Sequence, residues 1–137
     1  MAEYTNKPLA EKLGIKSGFS IAVWDAPAHY WALVNPLPVD VSIKPLEEKP
    51  FDLIHAFFKE RLALEINLPV LKTAIVANGA VWVSWPKKAS KIPTNLTDTV
   101  VRDIAIANGL VDVKVCSVDD VWSGLKLVIR LKDRTQK

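Results

Sequence analysis

Few residues of this chain could do chemistry, and they are scattered. Two histidines, His29 and His55, each lie near an aspartate (Asp25 and Asp52), a spacing that would allow acid–base work. The rival readings are plainer. His29 follows Pro27 and suits the cap or surface of a short helix. His55 lies inside the apolar run Phe51–Phe58 and suits a hydrogen-bonded core position. Two distant histidines lack the spacing of a metal site. The single cysteine, Cys116, excludes an internal disulfide and a multi-cysteine zinc centre. It sits in the strand-like run Val113–Val118 and reads as a small buried hydrophobe. No nucleophile elbow surrounds Ser84, Ser90 or Ser123. With no complete catalytic motif, no catalytic or metal-binding residue is assigned.

One stretch gathers aromatic and basic character: Gly79-Ala-Val-Trp-Val-Ser-Trp-Pro-Lys-Lys88. It reads as a buried central strand that delivers a basic loop to the rim of a sheet, where open α/β proteins keep their ligands. The loops expected to share that rim are Asp25–His29, Phe58–Arg61, Trp85–Lys91 and Asp119–Gly124. They would bring together Asp25, His29, Lys59, Trp85, Lys87, Lys88, Lys91, Asp119, Asp120 and Trp122. Cations beside aromatic rings suit a small anionic or planar ligand, or a protein partner. The alternative is a solvated lysine loop whose tryptophans are core.

These residues need a scaffold, and composition supplies one. The 137 residues are 50% hydrophobic and 24% charged, which describes a globular chain and a single domain over 1–137. A net charge of +3, with acids and lysines interspersed, does not indicate nucleic acid. The tryptophans of the basic loop also alternate with valines rather than arginines. No basic segment leading into an apolar core opens the sequence. The longest apolar run, near Thr73–Pro86, is too short to span a bilayer. A soluble cytoplasmic protein without a membrane partner is expected. Residues 1–18 form a helical lead-in, and 132–137 a fraying basic tail.

Along the chain, a helix over Pro8–Leu13 ends at Gly14, and Phe19–Trp24 forms a first buried strand. Asp25 is an N-cap candidate for a helix over Pro27–Val34, which Asn35-Pro-Leu-Pro38 breaks. Val41–Lys44 is a short strand. Phe51–Phe58, apolar on both alternating faces, suits a parallel strand covered by helices. Lys59–Asn78 is helical, interrupted near Asn67-Leu-Pro69 and ended by Asn78-Gly79. After the basic loop, Thr94 or Asn95 caps a helix that Asn108-Gly109 closes. Strands Val111–Val118 and Leu125–Leu131 end the chain, joined by a link too short for a parallel return. The expected fold is a single-domain α/β three-layer sandwich with an open, mostly parallel sheet and an antiparallel C-terminal strand.

The closing helix–strand–strand unit resembles the class I methyltransferase fold, in which the last strand inserts antiparallel to the others. The likeness runs from Phe51 through Asn78-Gly79-Ala-Val-Trp-Val to Trp122-Ser-Gly-Leu-Lys126. More closely, Lys12-Leu-Gly-Ile-Lys, Trp85-Pro-Lys-Lys88, Val111–Cys116 and Trp122–Lys126 resemble a small bacterial family of unknown function. The resemblance implies a reduced Rossmann-like core and S-adenosylmethionine as the cofactor to consider. The chain departs from that pattern in three places. The first turn, Asp25-Ala-Pro-Ala-His29, has no glycine. The second strand ends Ile43-Lys-Pro45, with Glu47 and Glu48 beyond it rather than a terminal acid. The third strand and its helix have no counterpart. The expectation is therefore a module without catalysis or cofactor, binding a small ligand or partner at the Trp85–Lys88 edge. A methyltransferase-like enzyme using an atypical Asp25–His29 turn is the alternative, and a self-associating interaction domain a second.

Overall fold

The fold follows from two strands that have no polar face to show water. In the computed structural model, which describes residues 7–134, β3 (Phe51–Phe57) and β4 (Ile75–Pro86) lie side by side and parallel. Their alternating side chains go to opposite sides of the sheet. Ile54, Ala56, Val81, Val83 and Trp85 join one core, while Leu53, Phe57 and Trp82 join another. Both faces must therefore be covered. The first core is closed by α3 (Arg61–Thr73) through Leu64, Leu68 and Leu71, and by α4 (Asp98–Ala107) through Val101, Ile104 and Ala105. The second is closed by α1 (Leu9–Leu13) through Leu9, Ala10 and Leu13, and by α2 (Tyr30–Val34) through Tyr30 and Val34.

Four more strands complete the sheet: β1 (Ser20–Trp24), β2 (Ser42–Ile43), β5 (Leu110–Ser117) and β6 (Trp122–Ile129), in the order β2-β1-β3-β4-β6-β5. The pairings from β2 to β4 are parallel, and β6 runs antiparallel between β4 and β5. This is the three-layer α/β sandwich with an inserted antiparallel last strand. Leu131–Asp133 form a short 3₁₀ turn rather than a frayed end; residues 1–6 and 135–137 of the expected lead-in and tail lie outside the described residues. No helix among the described residues is long and apolar enough to cross a membrane.

Several boundaries differ from expectation, each for a local reason. The long helix runs through Pro69 and stops at Thr73, whose hydroxyl donates to the Val70 carbonyl at 2.7 Å. Pro69 is tolerated because its side of α3 is exposed, so water can reach the carbonyl it leaves unpaired. The strand then starts at Ile75, and Asn78-Gly79 lies within it rather than ending a helix. Here β3 and β4 fall out of register, with Phe51 opposite Ile75 but Leu53 opposite Ala80. Gly79 sits against the irregularity: a Cβ there would lie 3.0 Å from the Asp52 carbonyl oxygen and 3.1 Å from that of Phe51.

Capping is also reassigned. Thr97 caps α4, its hydroxyl accepting from Val100 N–H at 3.2 Å. Asn95 instead serves the other helix, its Oδ1 accepting from Arg61 N–H at 2.6 Å, and Thr94 donates to the Lys59 carbonyl at 2.6 Å. Asp25 caps nothing; α2 begins only at Tyr30, one turn later than Pro27. The last connection is shorter than Asp119–Gly124, because Trp122 already pairs with Pro86 and opens β6.

Replacing Gly79 with alanine should lower stability by about 1–3 kcal/mol, since the new methyl meets two backbone carbonyls that cannot move independently. Urea unfolding of Gly79→Ala against the parent checks this; an unchanged midpoint would count against the close approach.

Candidate edge site and its buried support

The expected loops do share one edge. His29 Nε2–H donates to Asp119 Oδ2 at 3.0 Å, joining the turn after β1 to the β5–β6 connection. Lys87 N–H donates to the Val121 carbonyl at 2.7 Å, joining the loop after β4 to the same connection. Thr94 and Asn95 tie that loop to the start of α3, as described above. Parallel strands β1, β3 and β4 and the antiparallel start of β6 thus deliver four loops to the C-terminal rim.

Asp119 is the best-held polar group there. Its Oδ1 accepts from Val121 N–H and Trp122 N–H, both at 2.8 Å, while Oδ2 holds His29. Burial pushes its carboxyl up, but the hydrogen bonds from His29, Trp122 and Val121 outweigh that and hold it below the usual aspartate value. His29 is exposed, and with Nε2–H committed to Asp119 a neutral ring carries its lone pair on Nδ1. A carboxylate that orients an imidazole is an arrangement able to accept a proton.

The other expected rim residues divide. Trp85 is packed in the α3–α4 core and Trp122 in the α1–α2 core, edge-on to Phe57 with centroids 5.0 Å apart. Neither indole face is available for stacking, which corrects the expectation of an aromatic rim. Their strands alternate, so the two tryptophans point to opposite sides of the sheet. Lys87 is partly buried and donates to Ser117 Oγ at 2.6 Å. Asp25, Lys59, Lys88, Lys91 and Asp120 are exposed. Asp25 has φ 55, the left-handed region that non-glycine residues rarely enter.

Two features were missed in the sequence. The first is a half-open groove of about 240 Å³ on the α3 side, lined by Trp24, Leu46, Glu47, Asn67, Val70 and Leu71. It exists because the connection from β2 to β3 crosses β1 with only the 3₁₀ turn Leu46–Glu48. The shortness of Lys44–Pro50 was the available signal. Cys116, expected to be buried, is only partly so; burial raises its thiol despite Lys12, Lys114 and Lys87 nearby.

The second is a buried polar chain beneath the rim. Tyr30 Oη meets His55 Nδ1 at 2.9 Å, and His55 Nε2 meets Ser84 Oγ at 2.8 Å. All three residues are buried, and burial lowers the His55 pKa to about 3, so the imidazole is neutral. One hydroxyl then donates to the ring and the other accepts from it. With no solvent access the group is structural: it fastens α2 to β3 and β4, one residue after His29. This is the core role expected of His55.

No family model and no curated protein matches the sequence. Solved structures do match it. A SAM-dependent methyltransferase from Aquifex aeolicus superposes with a TM-score of 0.66 at 14% identity, over 88% of this chain and 87% of that one. The fibrillarin pre-rRNA processing protein of Methanococcus jannaschii gives 0.58 at 12% identity, over 88% of this chain and 73% of that one. Magnesium protoporphyrin IX methyltransferase of Synechocystis PCC 6803, solved with bound SAM, gives 0.54 at 10% identity, over 89% and 74%. At such identities the likeness is one of fold: this chain has a class I methyltransferase-like core.

The site leaves two pH signatures. Unfolded, His55 titrates near 6.5, and folded at about 3, so the unfolded chain binds the extra proton between those values. Stability should therefore fall as pH drops from 6.5 towards 3, by up to about 1.4 kcal/mol per pH unit from this group. Urea midpoints of the parent and His55→Gln should converge across that window; parallel curves would refute the assignment. Asp119 has the carboxylate sign, its contribution full above the ordinary aspartate value and lost as pH falls through its lowered folded value. Asp119→Ala should cost about 1–3 kcal/mol at neutral pH, because two backbone N–H groups lose their acceptor. That deficit should shrink in acid when measured by the same titration.

Proposed function

We propose that this chain binds S-adenosylmethionine at the C-terminal edge of its sheet and is a methyltransferase-like protein with an atypical cofactor turn. The observation that supports this most is the backbone of Asp25. Its φ of 55 gives the turn after β1 the left-handed conformation that favours glycine, so the missing glycine does not remove the turn geometry. The missing acid also has a substitute. Glu47, beyond the proline that ends β2, lines the same groove as Trp24, the residue immediately before the turn. A carboxylate, an indole and a left-handed turn form a donor and acceptor set that fits an adenosine-containing ligand. The fold partner from Aquifex aeolicus, named as SAM-dependent, is covered over 87% of its length, so a chain of similar extent carries that name.

In this reading the cofactor supplies an electrophilic methyl group when bound. The residues of the chain do the rest. Glu47 accepts hydrogen bonds from ligand hydroxyls, Trp24 offers apolar contact, and the Asp25 turn lets backbone approach. His29, oriented by Asp119, holds an acceptor nitrogen for the proton that an N–H or O–H nucleophile must lose. A second reading, a non-catalytic module for a small anion or partner at the same edge, draws support from Lys59, Lys88 and Lys91 standing exposed around it.

Thermal unfolding against S-adenosylmethionine, its demethylated product, nucleotides and inorganic phosphate separates the two. A ligand at about a hundredfold its Kd adds roughly 2.7 kcal/mol, a shift of several degrees for a domain of this size. The expected shift with S-adenosylmethionine should survive Asp25→Gly, weaken in Glu47→Gln, and vanish in Asp25→Val, whose β-branched side chain resists the left-handed turn. No shift in the parent would sink the cofactor reading, and a shift with phosphate alone would favour the second.

A further inference from the structure

On the sheet face covered by α1, Lys114 and Lys126 meet the C-terminal end of α1, which carries Lys12 and leads on to Lys16. Lys114 of β5 and Lys126 of β6 are register partners and therefore point to the same side. Lys114 Nζ donates to the Lys12 carbonyl at 2.9 Å, which brings both residues to the C-terminal end of α1. The Lys126 ammonium lies beside Gly14, where a Cβ would come within 3.3 Å of Nζ. Lys16 follows two residues later. Partial burial, and then the charges of Lys114 and Lys16, lower the Lys126 pKa, so these groups sense one another.

This arrangement opposes stability. Like charges directly across a strand pair are unfavourable, and a partly buried ammonium adds desolvation to the repulsion. The carbonyl end of α1 offsets part of it, but α1 has only five residues, and three of its last carbonyls are already taken by Gly14 N–H, Ile15 N–H and Trp82 Nε1–H. The only carboxylate on α1 is Glu11, which is exposed. The ion pairs among the described residues are His29–Asp119, Arg61–Glu65, Arg102–Asp112 and Arg130–Asp133, and none involves these lysines.

We propose that this face is a second, separate binding site, in which Lys12, Lys16, Lys114 and Lys126 hold a multiply charged phosphate group. The residue types select the ligand class. A single carboxylate would neutralise one charge of the four, and planar carboxylates are better matched by arginine, which the cluster lacks. Lysines act as point charges that suit the many oxygens of a phosphate. Gly14, with φ 85, ends α1 without a side chain and leaves room for the Lys126 ammonium beside it. The site lies on a sheet face, not among the rim loops, so it stands or falls independently of the cofactor reading.

Isothermal titration with sodium pyrophosphate, at fixed low ionic strength, tests it on the full chain. The parent should bind, and Lys126→Met and Lys114→Thr should each weaken binding about tenfold or more, the scale of a lost hydrogen bond to a charged group. Without ligand, Lys126→Met should be at least as stable as the parent, because it relieves repulsion; a purely structural lysine would give a loss. Fluorescence polarisation with a short single-stranded RNA distinguishes the source of the phosphate. RNA binding that disappears in both variants, with pyrophosphate silent, would overturn the multiply charged ligand in favour of a run of singly charged backbone phosphates. Absence of binding to either probe, or binding indifferent to both substitutions, would overturn the proposal.

Discussion

Everything in this fold depends on β3 and β4 being hidden on both sides. Trp82, Phe57 and Leu53 face one way, and Val81, Val83 and Ile54 the other, all almost fully buried. Each such side chain contributes on the order of 1.5–3 kcal/mol when removed from water, so neither face can be left open. Helices must then pack on both sides, and in chain order they alternate with the strands. Parallel pairing follows, and with it a single rim to which β1, β3 and β4 send their loops. The buried polar residues on these strands, His55 and Ser84, are neighbours on the α2 side and hydrogen-bond to each other. They add direction to an apolar contact that would otherwise let α2 slide.

The same logic explains where the fold is thin. Crossing from β2 to β3 over β1 with a helix would seal the α3 side, as α3 and α4 seal the neighbouring strands. Only Leu46–Glu48 makes that crossing. Trp24 is left half-buried, stacked near Phe58 with centroids 6.4 Å apart, and Val70 of α3 remains exposed beside it. A groove is the direct result. What looks in the sequence like the loss of an element is, in space, the creation of a concavity on the α3 side, with Trp24 in its wall.

Periodicity made the buried strands and α4 legible, because alternation and the 3.6-residue stripe survive in any context. It could not separate roles for residues whose side chains act at a distance. Asn95 looked like a cap for the helix after it and caps the helix before it, since the loop folds back onto α3. Asn78-Gly79 looked like a helix stop because the pair commonly is one; only the three-dimensional approach of Asp52 and Phe51 shows why glycine is needed. Trp85 and Trp122 looked like rim aromatics because they adjoin lysines and aspartates in sequence. Strand alternation buries both, in keeping with the alternative in which these tryptophans are core. The meeting of His29 with Asp119 joins residues ninety positions apart, beyond any local pattern.

The polar groups at the rim are mostly occupied, and this narrows what the edge can recognise. Asp119 spends both oxygens on Val121, Trp122 and His29, and Lys87 is engaged by Ser117. Thr94 and Asn95 hold the loop after β4 to the start of α3. Of the expected rim residues, His29, Asp25, Asp120, Lys59, Lys88 and Lys91 are exposed. The rim by itself thus offers charge without enclosure, and the enclosed apolar space lies apart from it, in the groove that Trp24 shares with Leu46 and the C-terminal half of α3. Near Trp85–Lys88 no indole face is open, so what the rim presents there is charge and hydrogen bonding rather than stacking.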